Sequence, residues 1–587
     1  MPMRSWFCLL ILLVLANAAS AREGPAAALD ELIADYWAWY LEAHPLAATR
    51  LGVDGYNDRL PAVTADAKQT HLAAQRRFLD RLRAIDRTAL PDSARQDAAL
   101  LAWELEDAIR AGELGLERIP FNTFSGFFMD VLTMGRGVAM TSVADYEDYL
   151  VRLAAVPRYF AGNIANMRTG SETGFVLPRI VIDGILPTLV AQQKDDPAAS
   201  SLFDPLRELP GTISRQDQER LRNEARHIIA TAVLPAFAEV ADFLRDEYAA
   251  ADAIGATRLP GGAAYYAFQI RRYTTLIDAS AAEIHAIGLA EVERIRADML
   301  AIIDEVGFDG GFDEFTAHLR SEPRFFAESE EELLAFAAYT AKRIDYLLPG
   351  YFGRLPRQPY GIVPVPAEIA PNYTTGAYYG APLGGSRGGA FWINTYGLDQ
   401  RPLYAIPALT LHEAVPGHHL QGALALEMTD VPAFRRALGY SAFGEGWALY
   451  AEKLGVEMGV YRTPYEHFGR LSYEMWRACR LVIDTGIHAL GWQRAQAIDY
   501  LLANTALSAA NARAEIDRYI SWPAQALAYK LGELEIQALR QRAEDALGER
   551  FDLREFHDVV LGGGEMPLAL LAANVERYIA RRLEDPG

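Results

Sequence analysis

Apolar residues recur at three- and four-residue spacing through most of this chain, and that period commits it to packed helices. Leu29 to Ala43, Ala65 to Ile85, Ser93 to Ala111, Gln216 to Ala250 and Ala281 to Val306 each carry such a stripe. An apolar stripe is stable in water only when another element covers it, so the expected architecture is an α-helical bundle or superhelix. Asp278 and Ser280 stand just before Glu283, an arrangement in which a serine caps a helix start and the glutamate returns the bond. No fixed-period repeat or low-complexity tract interrupts the pattern.

One stretch departs from the helical period. Between Pro349 and Pro407 the sequence fills with glycine, proline, tyrosine and short β-branched runs. Tyr360 to Pro366, Gly376 to Pro382 and Ala390 to Thr395 read as two or three strands of a small sheet, joined by the glycine-rich loop Gly384 to Gly389. That loop lacks the lysine and the spacing of a phosphate loop. An edge strand here would offer main-chain hydrogen bonds to an extended peptide.

Directly after this stretch, His412-Glu413-Ala414-Val415-Pro416-Gly417-His418-His419 gathers three of the chain's 11 histidines beside a carboxylate. Two imidazoles four residues apart share a helix face and can hold one zinc ion, but here the fourth position after His412 is Pro416. On an unbroken helix His418 would point about 120° away from His412, and His419 would return to the same face about 10 Å further along. The Pro-Gly pair offers a way out, because proline removes a helical hydrogen bond and glycine tolerates a bulged backbone. Two residues looped out in a π-type bulge would bring His418 to the second ligand position, with His419 as the alternative.

Glu445 supplies a third candidate ligand, within Gly444-Glu445-Gly446-Trp447-Ala448-Leu449-Tyr450-Ala451-Glu452. His₂Glu is a recurrent set for a single catalytic Zn²⁺, with the fourth position left to water. The glycines flanking Glu445 are expected to let its helix approach that of His412. Glu452, two turns on along the same face, is expected to hydrogen-bond the free ring N–H of a ligand histidine. Glu413 adjoins a ligand yet points differently, as a general base must.

At 587 residues the chain is long enough for more than one domain, and 51% hydrophobic with 23% charged residues is an ordinary globular composition. Gly255 to Gly262 suggests a linker between an N-terminal helical lobe at 22–255 and a catalytic lobe at 256–587, although one continuous bundle fits equally. The formal charge of −21 argues against nucleic acid or an anionic membrane as main partner. Residues 1–21 read as a secretory signal: Arg4, the apolar run Trp6 to Leu15, and Ala19-Ser20-Ala21 with cleavage after Ala21. No later segment reaches the ~20 apolar residues of a membrane span. Cys8 falls inside the signal, so Cys479 stands alone and no internal disulfide forms. A large exported chain without disulfides is expected in a bacterial periplasm, or secreted.

HEAVPGHHLQ at 412 to 421, GEGWALYAE at 444 to 452, RYISWPAQALAYKLG at 518 to 532 and LPGGAAYYAFQIRRYTT at 259 to 275 resemble a bacterial domain-of-unknown-function family (885). That family is often exported and is grouped with HExxH-type zinc peptidases. It is similar, distantly, to the helical gluzincin metallopeptidases, among them thimet oligopeptidase, the angiotensin-converting enzymes and the thermostable carboxypeptidases. The resemblance covers nearly the whole mature chain. It implies a mainly α fold: a large two-lobed helical bundle around a deep cleft, with the small β-sheet next to the zinc helix. It also implies His412, His418 and Glu445 as zinc ligands with Glu413 as base, since Gly417-His418 matches the Gly-His ending of related motifs.

The helical relatives use a donor from a C-terminal segment to stabilise the oxyanion. Tyr519, Gln525, Tyr529 and Lys530 are the candidates here, and Tyr519 and Lys530 are chosen. Arg387, Asn394 and Tyr529 are taken as substrate contacts, with Arg387 able to clamp a carboxylate through two parallel bonds. The function implied is a zinc-dependent metallopeptidase hydrolysing short oligopeptides. A non-catalytic peptide-binding protein, or a zinc-dependent esterase or amidase, are the alternatives.

Overall fold

The computed structural model describes residues 24–136, 138, 140–367, 369–381 and 387–584. The expected signal peptide lies outside the described residues, as do Gly384, Gly385 and Ser386 of the glycine-rich loop. The fold is mainly helical with one small three-stranded mixed sheet. Two compact units divide the chain, one comprising it up to Ala250 together with Pro432–Arg435, the other Ala251–Val431 with Arg436–Gly587.

In the first unit the sequence periods appear as helices Pro25–Ala43, Ala65–Arg83 and Asp92–Leu114. A longer run, Arg215–Glu247, includes two π turns at Ile229–Val233 and Phe243–Glu247. With 33 residues and a window of mean hydropathy 1.5, it is the one described helix that is long and apolar enough to cross a membrane by length and composition. Its apolar stripe is already covered within the unit, for Leu221, Ala225, Ile229, Val233, Phe237, Val240 and Leu244 are all buried.

The second unit holds the sheet and the histidine motif. Helix α1 (Ala281–Glu305) starts at the capping box anticipated from Ser280 and Glu283. Strand β3 (Gly389–Ile393) lies between β1 (Tyr360–Pro364), which pairs with it in parallel, and β2 (Gly376–Tyr379), which pairs antiparallel. Alternation along β3 turns Phe391 and Ile393 inward, onto Ile406, Leu409 and Ala414. Burying each of these two side chains is worth about 1.5–3 kcal/mol, and together they seat the sheet on the helix that carries His412.

That helix, α2 (Ile406–Glu413), has Pro407 in its first turn and is buried on every side from Ile406 to His412. Three more helices enclose it or its partners: α3 (His418–Leu426), α4 (Ser441–Glu457) and α5 (Pro464–His488). Helix α6 (Ala528–Leu547) crosses α4 at two glycines. A Cβ on Gly446 would lie 2.5 Å from the Gly532 backbone, and one on Gly532 would lie 2.0 Å from the Ala442 carbonyl oxygen. Gly446 therefore serves the α4–α6 crossing and not, as its spacing suggested, the approach to α2. The glycine facing α2 is Gly455, where a Cβ would meet Leu411 Cδ1 at 2.3 Å.

Asp484, buried near the C-terminal end of α5, ties the turn before α6 to the rest of the unit. It accepts from the Tyr266 hydroxyl at 2.6 Å and from the Ala524 N–H at 3.1 and 3.0 Å, holding Ala524 at a left-handed φ of 68°. Burial pushes the Asp484 carboxyl up to about 7 despite those bonds. A folded-state value raised above the unfolded one contributes stability that is complete below about pH 4 and is lost as pH rises through about 7. Thermal stability is therefore expected to fall as pH rises from about 4 to 7, and Asp484→Asn to flatten that dependence when unfolding midpoints are measured across the range.

Candidate metal centre

Helix α2 does not bulge between the histidines; it stops, and α3 begins afresh. The last regular bond runs from Ala414 N–H to the Thr410 carbonyl at 3.0 Å, after which Ala414 turns to φ −98°, ψ −103°. A cis Val415–Pro416 peptide follows, and His419 N–H returns to the Ala414 carbonyl at 3.0 Å. Two contacts hold the break. Buried Trp447 donates its indole N–H to the Pro416 carbonyl at 2.8 Å. Gly417 lies so close to α2 that a Cβ there would stand 1.9 Å from the His412 oxygen and 2.4 Å from that of Leu411. The same proline and glycine that spoil the helical spacing thus let the chain fold back and present His418 beside His412.

The Nε2 atoms of His412 and His418 each lie 3.5 Å from Glu445 Oε2, and the three donor atoms fall within 4.8 Å of one another. Donors about 2.0–2.1 Å from a tetrahedral ion are about 3.3–3.4 Å apart, which the two 3.5 Å spacings to Glu445 match. The Nδ1 of His412 meets Glu452 Oε1 at 2.8 Å. An ionised carboxylate only accepts, so Nδ1 carries a proton, and Nε2 is the nitrogen that would ligate an ion once its own proton is displaced. For His412, burial acts to lower the pKa, but the bonds to Glu445 and Glu452 and the charge of Glu413 outweigh it and raise it to about 9. Burial likewise opposes the shift of Glu445, whose carboxyl the two histidines hold well below the usual range. Both shifts show a location that favours positive charge, as a cation site requires. His412, His418 and Glu445 could accordingly hold a metal ion.

His419 faces elsewhere. Its Nδ1 bonds the Tyr378 hydroxyl of β2 at 2.9 Å and its ring packs on Tyr360 of β1 at 4.6 Å. Burial lowers it to about 4, against a bond to the Gln358 backbone, so it is a neutral anchor for the sheet. Glu413, at the end of α2, is half-buried, and the Tyr373 hydroxyl senses its charge. Tyr373 bonds Tyr379 at 2.6 Å and packs on Trp392. Asn394, expected to touch substrate, is instead fully engaged: its amide donates to the carbonyls of Ala370, Tyr373 and Thr374 at 2.8, 3.0 and 3.1 Å, and its oxygen accepts from Tyr396 N–H at 3.0 Å. It positions the turn that carries Tyr373. Arg387 is exposed at the end of the glycine-rich loop.

The C-terminal candidates are also committed to other partners. Tyr519 is fully buried; its hydroxyl donates to Glu515 at 2.6 Å and accepts from Arg480 at 3.0 Å and Trp476 at 3.2 Å. Tyr529 accepts from Arg518 at 3.3 Å, and its ring lies under the Arg480 guanidinium. The Lys530 ammonium meets Glu533 at 2.6 Å, Glu474 at 2.8 Å and Glu291 of α1 at 3.0 Å. Three carboxylates use its three N–H groups, and although burial opposes the shift they hold it above the ordinary lysine range. These bonds correct the expectation that Tyr519 and Lys530 point donors at a reacting carbonyl.

Two polar residues next to the group escaped the sequence reading. Gln421 follows His418 by one turn of α3, and Glu565 comes from the turn Gly562-Gly563-Gly564-Glu565-Met566-Pro567. A lone acid after three glycines reads as turn chemistry, and nothing local ties it to residues so far away in sequence.

Adding a methyl at Gly417 must push α3 away from α2. Gly417→Ala is expected to lower affinity for a divalent ion by about tenfold or more, the scale seen when the support of a ligand is disturbed, as checked by titration with Zn²⁺.

Two solved structures share this fold. One is described as the “putative lipoprotein” from Colwellia psychrerythraea, with 28% identity and a TM-score of 0.89, covering 95% of this chain and 100% of its own. The other, a “putative lipoprotein of unknown function” from Shewanella oneidensis, has 17% identity and a TM-score of 0.71 over 94% of this chain and 99% of its own, a likeness of fold alone. No curated protein matches. A family model described as bacterial protein of unknown function matches residues 45–575, and the chain belongs to that family, DUF885.

Proposed function

We propose that this protein is a zinc-dependent metallopeptidase acting on short peptides. The observation that carries the reading is the convergence of His412, His418 and Glu445 on one point, with Glu452 fixing the His412 tautomer and Glu413 next in sequence to a ligand. Two imidazoles and one carboxylate suit zinc better than the all-oxygen preference of magnesium or calcium. When bound there, Zn²⁺ supplies Lewis acidity and makes water acidic near neutral pH.

The chain's own groups do the rest. Glu413 accepts the proton of the attacking water and delivers it to the leaving nitrogen, while Tyr373, whose hydroxyl senses the charge of Glu413, is our candidate to donate to the developing oxyanion. Asn394 holds the Tyr373 turn, and His419 holds β2, the edge strand beside α2 along which an extended peptide would lie. We place the protein outside the cytoplasm, supported by the signal-like residues 1–21 and by the description of the Colwellia psychrerythraea relative as a “putative lipoprotein”.

Purified protein is expected to hold about one equivalent of zinc, lost to a chelator together with peptide hydrolysis and restored by Zn²⁺. Glu413→Gln should keep the metal and lose about two to four orders of magnitude in kcat/KM on a peptide panel. Undiminished hydrolysis by that variant would rule out the assigned base, and zinc content unchanged by His412→Ala would rule out the site.

A further inference from the structure

Glu565 and Gln421 have no part in the reaction described above, yet both adjoin the metal group. Glu565 Oε2 accepts from the Tyr440 N–H at the start of α4 at 2.6 Å, and its Oε1 accepts from Gln421 Nε2 at 2.7 Å. Gln421 lies one turn after His418, and Gly444 immediately precedes Glu445. The two oxygens meet at Gly444: a Cβ there would stand 3.7 Å from Glu565 Oε1 and 3.9 Å from Gln421 Oε1, with no nearer atom. Gly446 is forced by a backbone crossing, but packing makes no such demand of Gly444. Its missing side chain leaves room beside two polar atoms.

The chemistry of that room follows from the bonds. A carboxylate only accepts, so the Gln421 amide must turn its nitrogen to Glu565 and leave its oxygen toward Gly444. Glu565 uses two of about four acceptor positions on Tyr440 and Gln421. The charged side chains it senses are His418 and Glu445, and among the described residues no lysine or arginine pairs with it. The two polar atoms that a side chain at Gly444 would meet are therefore both acceptors, one of them a carboxylate oxygen. An ammonium group, with three donors and a positive charge, is the complementary ligand.

We propose that Glu565 and Gln421 receive the N-terminal α-ammonium of the substrate, so that the enzyme acts on peptides with a free amino end. The inference rests on the peptidase reading. Glu565 also closes the start of α4, and Glu565→Gln keeps an acceptor for the Tyr440 N–H while removing the charge.

The test compares Ala-Ala-Ala with N-acetyl-Ala-Ala-Ala, by kcat/KM on wild type and by calorimetric binding to the Glu413→Gln variant. Acetylation is expected to cost about ten- to a hundredfold in both, the worth of a charge-assisted hydrogen bond, and Glu565→Gln to bring the ratio to within about threefold of one. Preference for the free amine in binding without turnover would keep this inference and remove the peptidase reading. Equal use of the two peptides by wild type, an unchanged ratio in Glu565→Gln, or binding of neither would overturn it. So would loss of zinc from Glu565→Gln, which would make Glu565 a support of the metal, or rescue by N-acetyl-Lys-Ala-Ala, which would make a lysine side chain the ammonium received.

Discussion

Everything at the candidate centre depends on how closely Gly417 approaches the carbonyl end of α2. A helix that stops at Glu413 leaves its last carbonyls open, and any side chain at 417 would strike the His412 and Leu411 oxygens. Glycine lets α3 begin in contact with α2, so that His418 faces His412 across the break. The Trp447 bond to the Pro416 carbonyl fixes the other side of that loop and comes from the helix that supplies Glu445. One loop thus sets the relation of all three helices whose side chains converge.

The surrounding polar groups sort into two kinds by how their bonds are used. Around Lys530, Glu291, Glu474 and Glu533 are joined by Arg294 and Arg470, both bonded to Glu474, and the buried charges compensate one another. Such a network holds α1, α5 and α6 in register, and breaking one partner would leave a costly unpaired charge. Near His412 and His418 the balance is different, because carboxylates from α2 and α4 face imidazoles without a full set of cations. Closed networks serve structure, and the open one is the group that could hold a cation.

The legible part of the molecule was the part governed by local period and local chemistry. The stripes at Ala65 to Ile85 and Ala281 to Val306 became helices ending within two residues of their expected limits, and Ser280 with Glu283 formed the expected cap. The three strands appeared where glycine, proline and β-branched residues displaced the helical period, though their order, β1-β3-β2, follows from long-range pairing. Lys530 and Tyr519 looked available because the helical relatives take an oxyanion donor from a C-terminal segment. Spacing carries no information about Glu291, Arg480 or Glu515, which occupy their donors and acceptors only after distant helices pack.

By itself the sequence determined a helical protein with one short sheet, and a histidine motif that no regular helix can present to a single ion. Those outcomes follow from side-chain period and backbone chemistry, which act over a few residues. Tertiary structure alone decided that α2 stops instead of bulging, that His418 turns toward Glu445 while His419 turns to the sheet, and that Glu565 comes to lie beside Gly444. Each of these depends on contacts between residues far apart in sequence, where close packing and the direction of hydrogen bonds permit only one arrangement.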